Sequence, residues 1–167
     1  MMKTVNKQIH QVNEAAAVYV AQTPLSIRRG RVNKNFSFQD FLDNKLLVIH
    51  SIRTGITFDL FSEITKITPF SDDDWAEILN ISSKSLQRYR AEKDFRFKPI
   101  HSEKIIEIAE VALLGNTVFD TSSQFYLWLR MPLFALGSMK PIELLKDSYG
   151  KEMVLDELHR IDQGIFV

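Results

Sequence analysis

Residues 101–119 constrain the fold more than any other stretch of this chain. At 3.6 residues per turn, Ile105, Ile106, Ile108, Ala109, Val111, Ala112, Leu113 and Leu114 wrap most of a helix. Only Glu103, Glu107 and Glu110 mark a solvent stripe. A helix apolar on nearly every side is stable in water only when other elements surround it, so the rest of the chain has to supply a shell. The material available for that shell is helical. Phe41, Leu42, Leu46, Leu47, Ile49 and Ile52 recur at i+3 and i+4, and Gly55 offers a stop. Phe58, Leu60, Phe61, Ile64 and Ile67 predict a second helix, closed by Pro69. No period-2 strand is present, and the chain is predicted to be all-α.

Further along, Ser71 is an N-cap for a helix whose first turn, Asp72, Asp73 and Asp74, suits the positive helix end. Short helices are predicted at 122–130 and 142–147, and a longer one at 151–163 with Gly164 just beyond it. Residues 1–35 are expected to be a mobile tail. Ala15 to Ala21 could form a short helix there, but Pro24 and the basic Arg28-Arg29-Gly30-Arg31 interrupt it.

Charge narrows the function classes. Lys+Arg and Asp+Glu both number 21, so the 167-residue chain is formally neutral. This argues against tight, nonspecific nucleic-acid binding. The charge is nevertheless uneven, basic in the first seventy residues and acidic from Pro99 onward, which suggests two binding faces. Cysteine is absent, no apolar run nears the roughly 20 residues that span a bilayer, and the start lacks a signal-peptide core. A cytoplasmic protein without membrane contact is the expectation. His10, His50, His101 and His159 match no metal-ligand spacing, and the aspartate run lacks the alternating ligands and turn glycine of a calcium loop. With no phosphate loop and no nucleophile elbow, the chain is expected to be non-enzymatic and free of cofactors.

Residues 73–89 have the spacing of a helix-turn-helix. Ala76 sits where two helices must cross closely, and Asn80 can take the left-handed turn conformation. Ile81, Leu86 and Tyr89 would lock the second helix to the first. The outward residues Ser82, Ser83, Lys84, Gln87, Arg88 and Arg90 are then candidates for contact with phosphates and major-groove edges, in promoter DNA. The alternative is two packed helices with a solvated basic face.

The last forty residues are more specific. Trp128-Leu129-Arg130-Met131-Pro132 precedes Leu136-Gly137 and Lys140-Pro141-Ile142-Glu143-Leu144-Leu145; then come Tyr149-Gly150, Val154, Leu158-His159-Arg160-Ile161 and Gly164. This ordered set resembles the toxin-binding domain of the Xre/MbcA/ParS antitoxins. Upstream, Gly55, the Ile81-Ser82 turn and the long helix resemble the Xre-like helical domain joined to it, so that residues 46–167 are covered. Ser138 stands where many members have a second glycine, Lys140 where a threonine-like cap is common, and Asn80 at a common glycine position.

After the tail expected at 1–35, the resemblance implies an Xre-like domain at 36–120 and a toxin-binding domain at 121–167. It also implies an antitoxin of a type II system that covers the active site of a RES-domain, NAD-consuming toxin. Such antitoxins repress their own promoter and work as homodimers within larger toxin–antitoxin complexes. On this reading the toxin-binding residues are Leu136, Gly137, Pro141, Leu144, Leu145, Gly150, Leu158, Arg160, Ile161, Gly164, Ile165, Phe166 and Val167. Ile165-Phe166-Val167 is an apolar end that either folds back on its own core or inserts into a partner; the resemblance favours the partner. The competing reading is a stand-alone transcription regulator whose C-terminal half only dimerises.

Overall fold

The computed structural model describes residues 2–28, 32 and 35–164, with side chains for 7–27, 32 and 35–164. Among them are eleven α-helices and no strand. They form two compact units. One comprises residues 1–67 with 84–106; the other comprises 68–83 with 107–167. The units therefore do not follow the expected boundary at 120.

The first unit begins with a correction. Met2–Ala21 is a 20-residue helix, α1, where a mobile tail was expected. Val12, Ala16, Tyr19 and Val20 line its inner side and are buried, a spacing of four, seven and eight residues. The Tyr19 hydroxyl donates to the Gly55 carbonyl at 3.1 Å, and the Asn13 side chain accepts from the Phe38 N–H at 2.8 Å. Packing against α3 (Phe38–Asp43) and α5 (Phe58–Ile67) thus overrides the weak local signal of an alanine-rich segment. After α2 (Leu25–Arg28), the run from Phe38 to Gly55 is two helices rather than one, because Asn44 ends α3 and caps α4 (Lys45–Thr54) through the Leu47 N–H.

Gly55 then turns the chain at φ 89°, and a Cβ there would lie 2.5 Å from the Phe97 carbonyl oxygen. That close approach lets Ile56 and Phe58 exchange backbone hydrogen bonds with residues 95–97, at 2.9 and 3.0 Å. Phe58, Phe61, Phe95, Phe97 and Tyr89 form an aromatic core beside it, with Tyr89 stacked on Phe95 at 4.0 Å. Tyr89 and the buried Leu86 root α7 (Ser83–Ala91).

In the second unit, Ser71 caps α6 (Asp72–Ile78) as expected, with Asp74 returning the bond to the Ser71 N–H. The apolar helix read at 101–119 is α8 (Pro99–Val118), whose residues from 107 onward belong to this unit. Its stripe is only partly wet: Glu103 is exposed, but Glu107 is buried and Glu110 accepts from Lys151 at 3.3 Å. Gly115 lets the Phe125 ring rest on the helix backbone, and Phe119, Phe125 and Trp128 stack from there. The remaining elements are α9 (Ser122–Arg130), a 3-10 turn (Phe134–Leu136), α10 (Pro141–Leu144) and α11 (Ser148–Asp162). The last helix starts three residues before the expected position, because the Asp147 carboxylate accepts from the Gly150 N–H at 2.7 Å and caps it.

Candidate functional site

The two units carry opposite charge. Residues 1–67 and 84–106 hold 16 basic and 8 acidic side chains; residues 68–83 and 107–167 hold 5 basic and 13 acidic. A formally neutral chain is thus one unit at +8 and another at −8, sharper than the split visible along the sequence.

Of the outward candidates on and ahead of α7, Lys84, Gln87, Arg88 and Arg90 belong to the basic unit, while Ser82 and Ser83 end a segment of the acidic one. Ser82, Ser83, Lys84, Gln87, Arg88 and Arg90 are all exposed, while Leu86 alone is buried in the helix. Lys84, Gln87 and Arg88 fall at three- and four-residue spacing on one surface of the helix. The Arg88 guanidinium lies 5.4 Å from the Tyr89 ring centroid, and Arg90 lies 5.9 Å from that of Phe58. Both cations are steered by aromatic faces without losing exposure. Asn80 takes φ 52°, the left-handed geometry that makes the tight turn ahead of α7, and the Ile81 N–H closes it on the Ala76 carbonyl at 2.9 Å. Ser83 is already hydrogen-bonded. Its hydroxyl donates to Asp73 at 2.8 Å, so a phosphate oxygen would have to displace a carboxylate to receive that proton.

The C-terminal candidates separate by burial. Leu136, Pro141, Leu144, Leu145, Gly150 and Leu158 are buried, and they hold the shape of the acidic unit. Gly150 brings α11 against the Leu144 backbone closely enough that a Cβ would sit 2.8 Å from the Leu144 carbonyl carbon. Arg160 and Ile161 are half-buried, with Arg160 paired to Glu157 at 3.3 Å. Gly137 and Gly164 are exposed at φ 67° and 72°. Ser138 follows Gly137 at φ 63°, so it adopts the left-handed conformation that glycine takes most easily. Ile165, Phe166 and Val167 lie outside the described residues.

The exposed apolar residues of this unit are ones that periodicity did not single out. Tyr126, Leu127, Met131, Phe134, Met139, Tyr149 and Met153 all face solvent. Nothing in a loop sequence says which side of it will be wet; the signal available was composition alone, three methionines and two aromatics within 23 residues.

Ion pairs tie α6 to the C-terminal helices within the acidic unit. Arg130 of α9 pairs with Asp74, and Lys146 donates to Glu77 at 2.6 Å. Burial pushes the Asp74 carboxyl up, but hydrogen bonds from the Ser71 N–H and hydroxyl, and from Arg130, outweigh it and hold its pKa below the ordinary value. Lys151 is nearly buried, which lowers its pKa, yet the Glu152 and Glu110 carboxylates keep it raised and charged. These are structural pairs. Among the described residues no three acidic or histidine side chains are grouped to hold a metal, and no helix is long and apolar enough to cross a membrane.

Two family models match the chain. Residues 48–110 match the antitoxin Xre-like helix-turn-helix domain, and residues 114–164 match the antitoxin Xre/MbcA/ParS C-terminal toxin-binding domain. A relative from Yersinia enterocolitica (serotype O:8 / biotype 1B), antitoxin Xre, is 27% identical over 121 residues, covering 72% of this chain and 81% of the relative.

Proposed function

Because the chain belongs to the Xre/MbcA/ParS-type antitoxins, a non-catalytic family that joins a helix-turn-helix to a toxin-binding domain, we propose a specific division of labour for it. The acidic unit neutralises a RES-domain, NAD-consuming toxin by covering its active-site entrance. The basic unit binds the promoter of its own operon through α7, as a homodimer within a toxin–antitoxin complex. Promoter and toxin meet in the cytoplasm.

The observation that carries this reading is the charge division. DNA contact demands cations that displace the phosphate counterions, and α7 supplies Lys84 and Arg88 from a unit at +8. An enzyme that binds NAD offers positive potential to its pyrophosphate, from cations or from helix N-termini; a unit at −8 is attracted to such a mouth and repelled by DNA. Ile165, Phe166 and Val167 extend the chain beyond α11 and supply apolar atoms to fill the entrance.

Co-expression with the RES-domain toxin from the adjacent reading frame tests the proposal. The expected result is restored growth and restored cellular NAD, with loss of both on deletion of Gly164 to Val167 at equal protein level. A folded full-length chain that leaves NAD depleted would remove the toxin assignment and leave the stand-alone regulator.

A further inference from the structure

Residues 131–140 form an apolar loop turned outward. Met131, Pro132, Phe134, Ala135 and Met139 are exposed, Phe134 by 88%, and Leu136 is the loop's single buried side chain. Soluble surfaces hold single exposed apolar residues freely, but a run of this composition marks a contact. Methionine usage points the same way. The chain has five methionines; beyond the two at its start, Met131, Met139 and Met153 are all exposed, and all lie within this one unit. Unbranched, polarisable side chains of this type adapt to an irregular apolar partner.

The loop is also stiff. The Leu133 N–H donates to the Met139 carbonyl at 3.1 Å, and the Ser138 N–H returns to the Leu133 carbonyl at 2.9 Å. The Gly137 N–H bonds to the Phe134 carbonyl at 3.0 Å, while two consecutive left-handed residues, Gly137 and Ser138, close the turn. Leu136 pins it from below, and the 3-10 turn packs on α11, where Tyr149 and Met153 stand exposed one turn apart. A side chain held outward by a rigid backbone loses little entropy on binding, which is the property of an anchor residue.

We infer that this loop is a second toxin-docking element, distinct from the C-terminal tail, with Phe134 as its anchor. The inference rests on the proposed toxin partner. The loop lies inside the segment that matches a toxin-binding domain. The loop belongs to a unit with 13 acidic side chains against 5 basic, so the partner surface it fits is an apolar recess on a face that is basic overall.

The test is the affinity of full-length chain for a catalytically inactivated RES-domain toxin, by calorimetry, for wild type, Phe134→Ala and the control Leu25→Ala. Leu25 is also an exposed apolar side chain but belongs to the basic unit. Burying a phenylalanine side chain corresponds to a Kd rise of about 10- to 100-fold on its removal. That rise is expected for Phe134→Ala with unchanged melting temperature, and none for Leu25→Ala. Phe134→Ala within twofold of wild type overturns the anchor and leaves the toxin reading standing. A wild-type chain with no affinity for the toxin overturns both. Loss of self-association without loss of toxin affinity assigns the loop to a second copy of this chain, and also overturns the inference.

Discussion

Replacing Gly150 by alanine sets two effects of opposite sign against each other. Gly150 is the third residue of α11, and alanine in a helix is intrinsically favoured over glycine by about 1 kcal/mol. If helix propensity dominated, the variant would be more stable than wild type. The packing predicts the reverse. The added Cβ would overlap the Leu144 carbonyl oxygen and lie 2.8 Å from its carbon and 2.9 Å from its Cα. These are backbone atoms, so no rotamer change relieves the clash; α10 must separate from α11. Overpacking of this kind costs about 1–3 kcal/mol, and a backbone clash belongs at the upper end. The net loss is then about 2 kcal/mol, a fall of roughly 4–8 °C in melting temperature for a chain of this size. Thermal unfolding followed by far-ultraviolet circular dichroism measures it. A melting temperature equal to or above wild type would refute the close α10–α11 packing.

Arg88→Ala should leave the fold intact, since the side chain is exposed, and weaken operator binding by about 1–3 kcal/mol in a gel-shift titration; unchanged affinity would remove Arg88 from the DNA contact. Asp74→Asn should cost about 1–2 kcal/mol at neutral pH by weakening the cap on α6 and the pair to Arg130. The Asp74 pKa is lowered in the folded state, so its stabilisation is full above the ordinary carboxylate range, near 4, and is lost as pH falls through the lower folded value. Urea unfolding from pH 3 to 6 should therefore be less pH-dependent in Asp74→Asn than in wild type, and parallel curves would contradict the assigned role.

Caps and turns were the most legible features of this sequence, because their chemistry is local. Ser71 with Asp74, the left-handed Asn80 and the glycine beyond α11 each follow from one side chain or one missing Cβ. Helix α1 was not legible, since an alanine-rich segment ahead of a proline owes its order to partners far along the chain, Gly55 and Phe38 among them. Glu107 was misplaced for a related reason. Periodicity finds the polar side of a helix but not whether another element reaches it, as Lys151 of α11 reaches Glu110 on the same side. The toxin-binding segment was recognisable as a pattern, yet the pattern mixes residues that shape the unit, such as Leu144 and Leu158, with residues that face outward. Phe134 and Tyr149 are the most exposed large hydrophobic side chains among the described residues, and Phe134 sits outside any helical period, so its exposure was not legible.

Formal neutrality argues against tight, nonspecific nucleic-acid binding and says little about a local contact, because net charge summed over 167 residues is not what a partner feels. At physiological ionic strength charges act over about 8 Å, whereas a unit of some 80–90 residues has a radius of gyration near 12 Å. A phosphate at α7 therefore responds mainly to the charges within that reach of Lys84 and Arg88, and a surface at Phe134 to those within the same reach of the loop. A sum over the whole chain decides neither contact. The same screening makes both proposed contacts salt-sensitive, with opposite demands on the partner: one must be a polyanion, the other a basic protein surface.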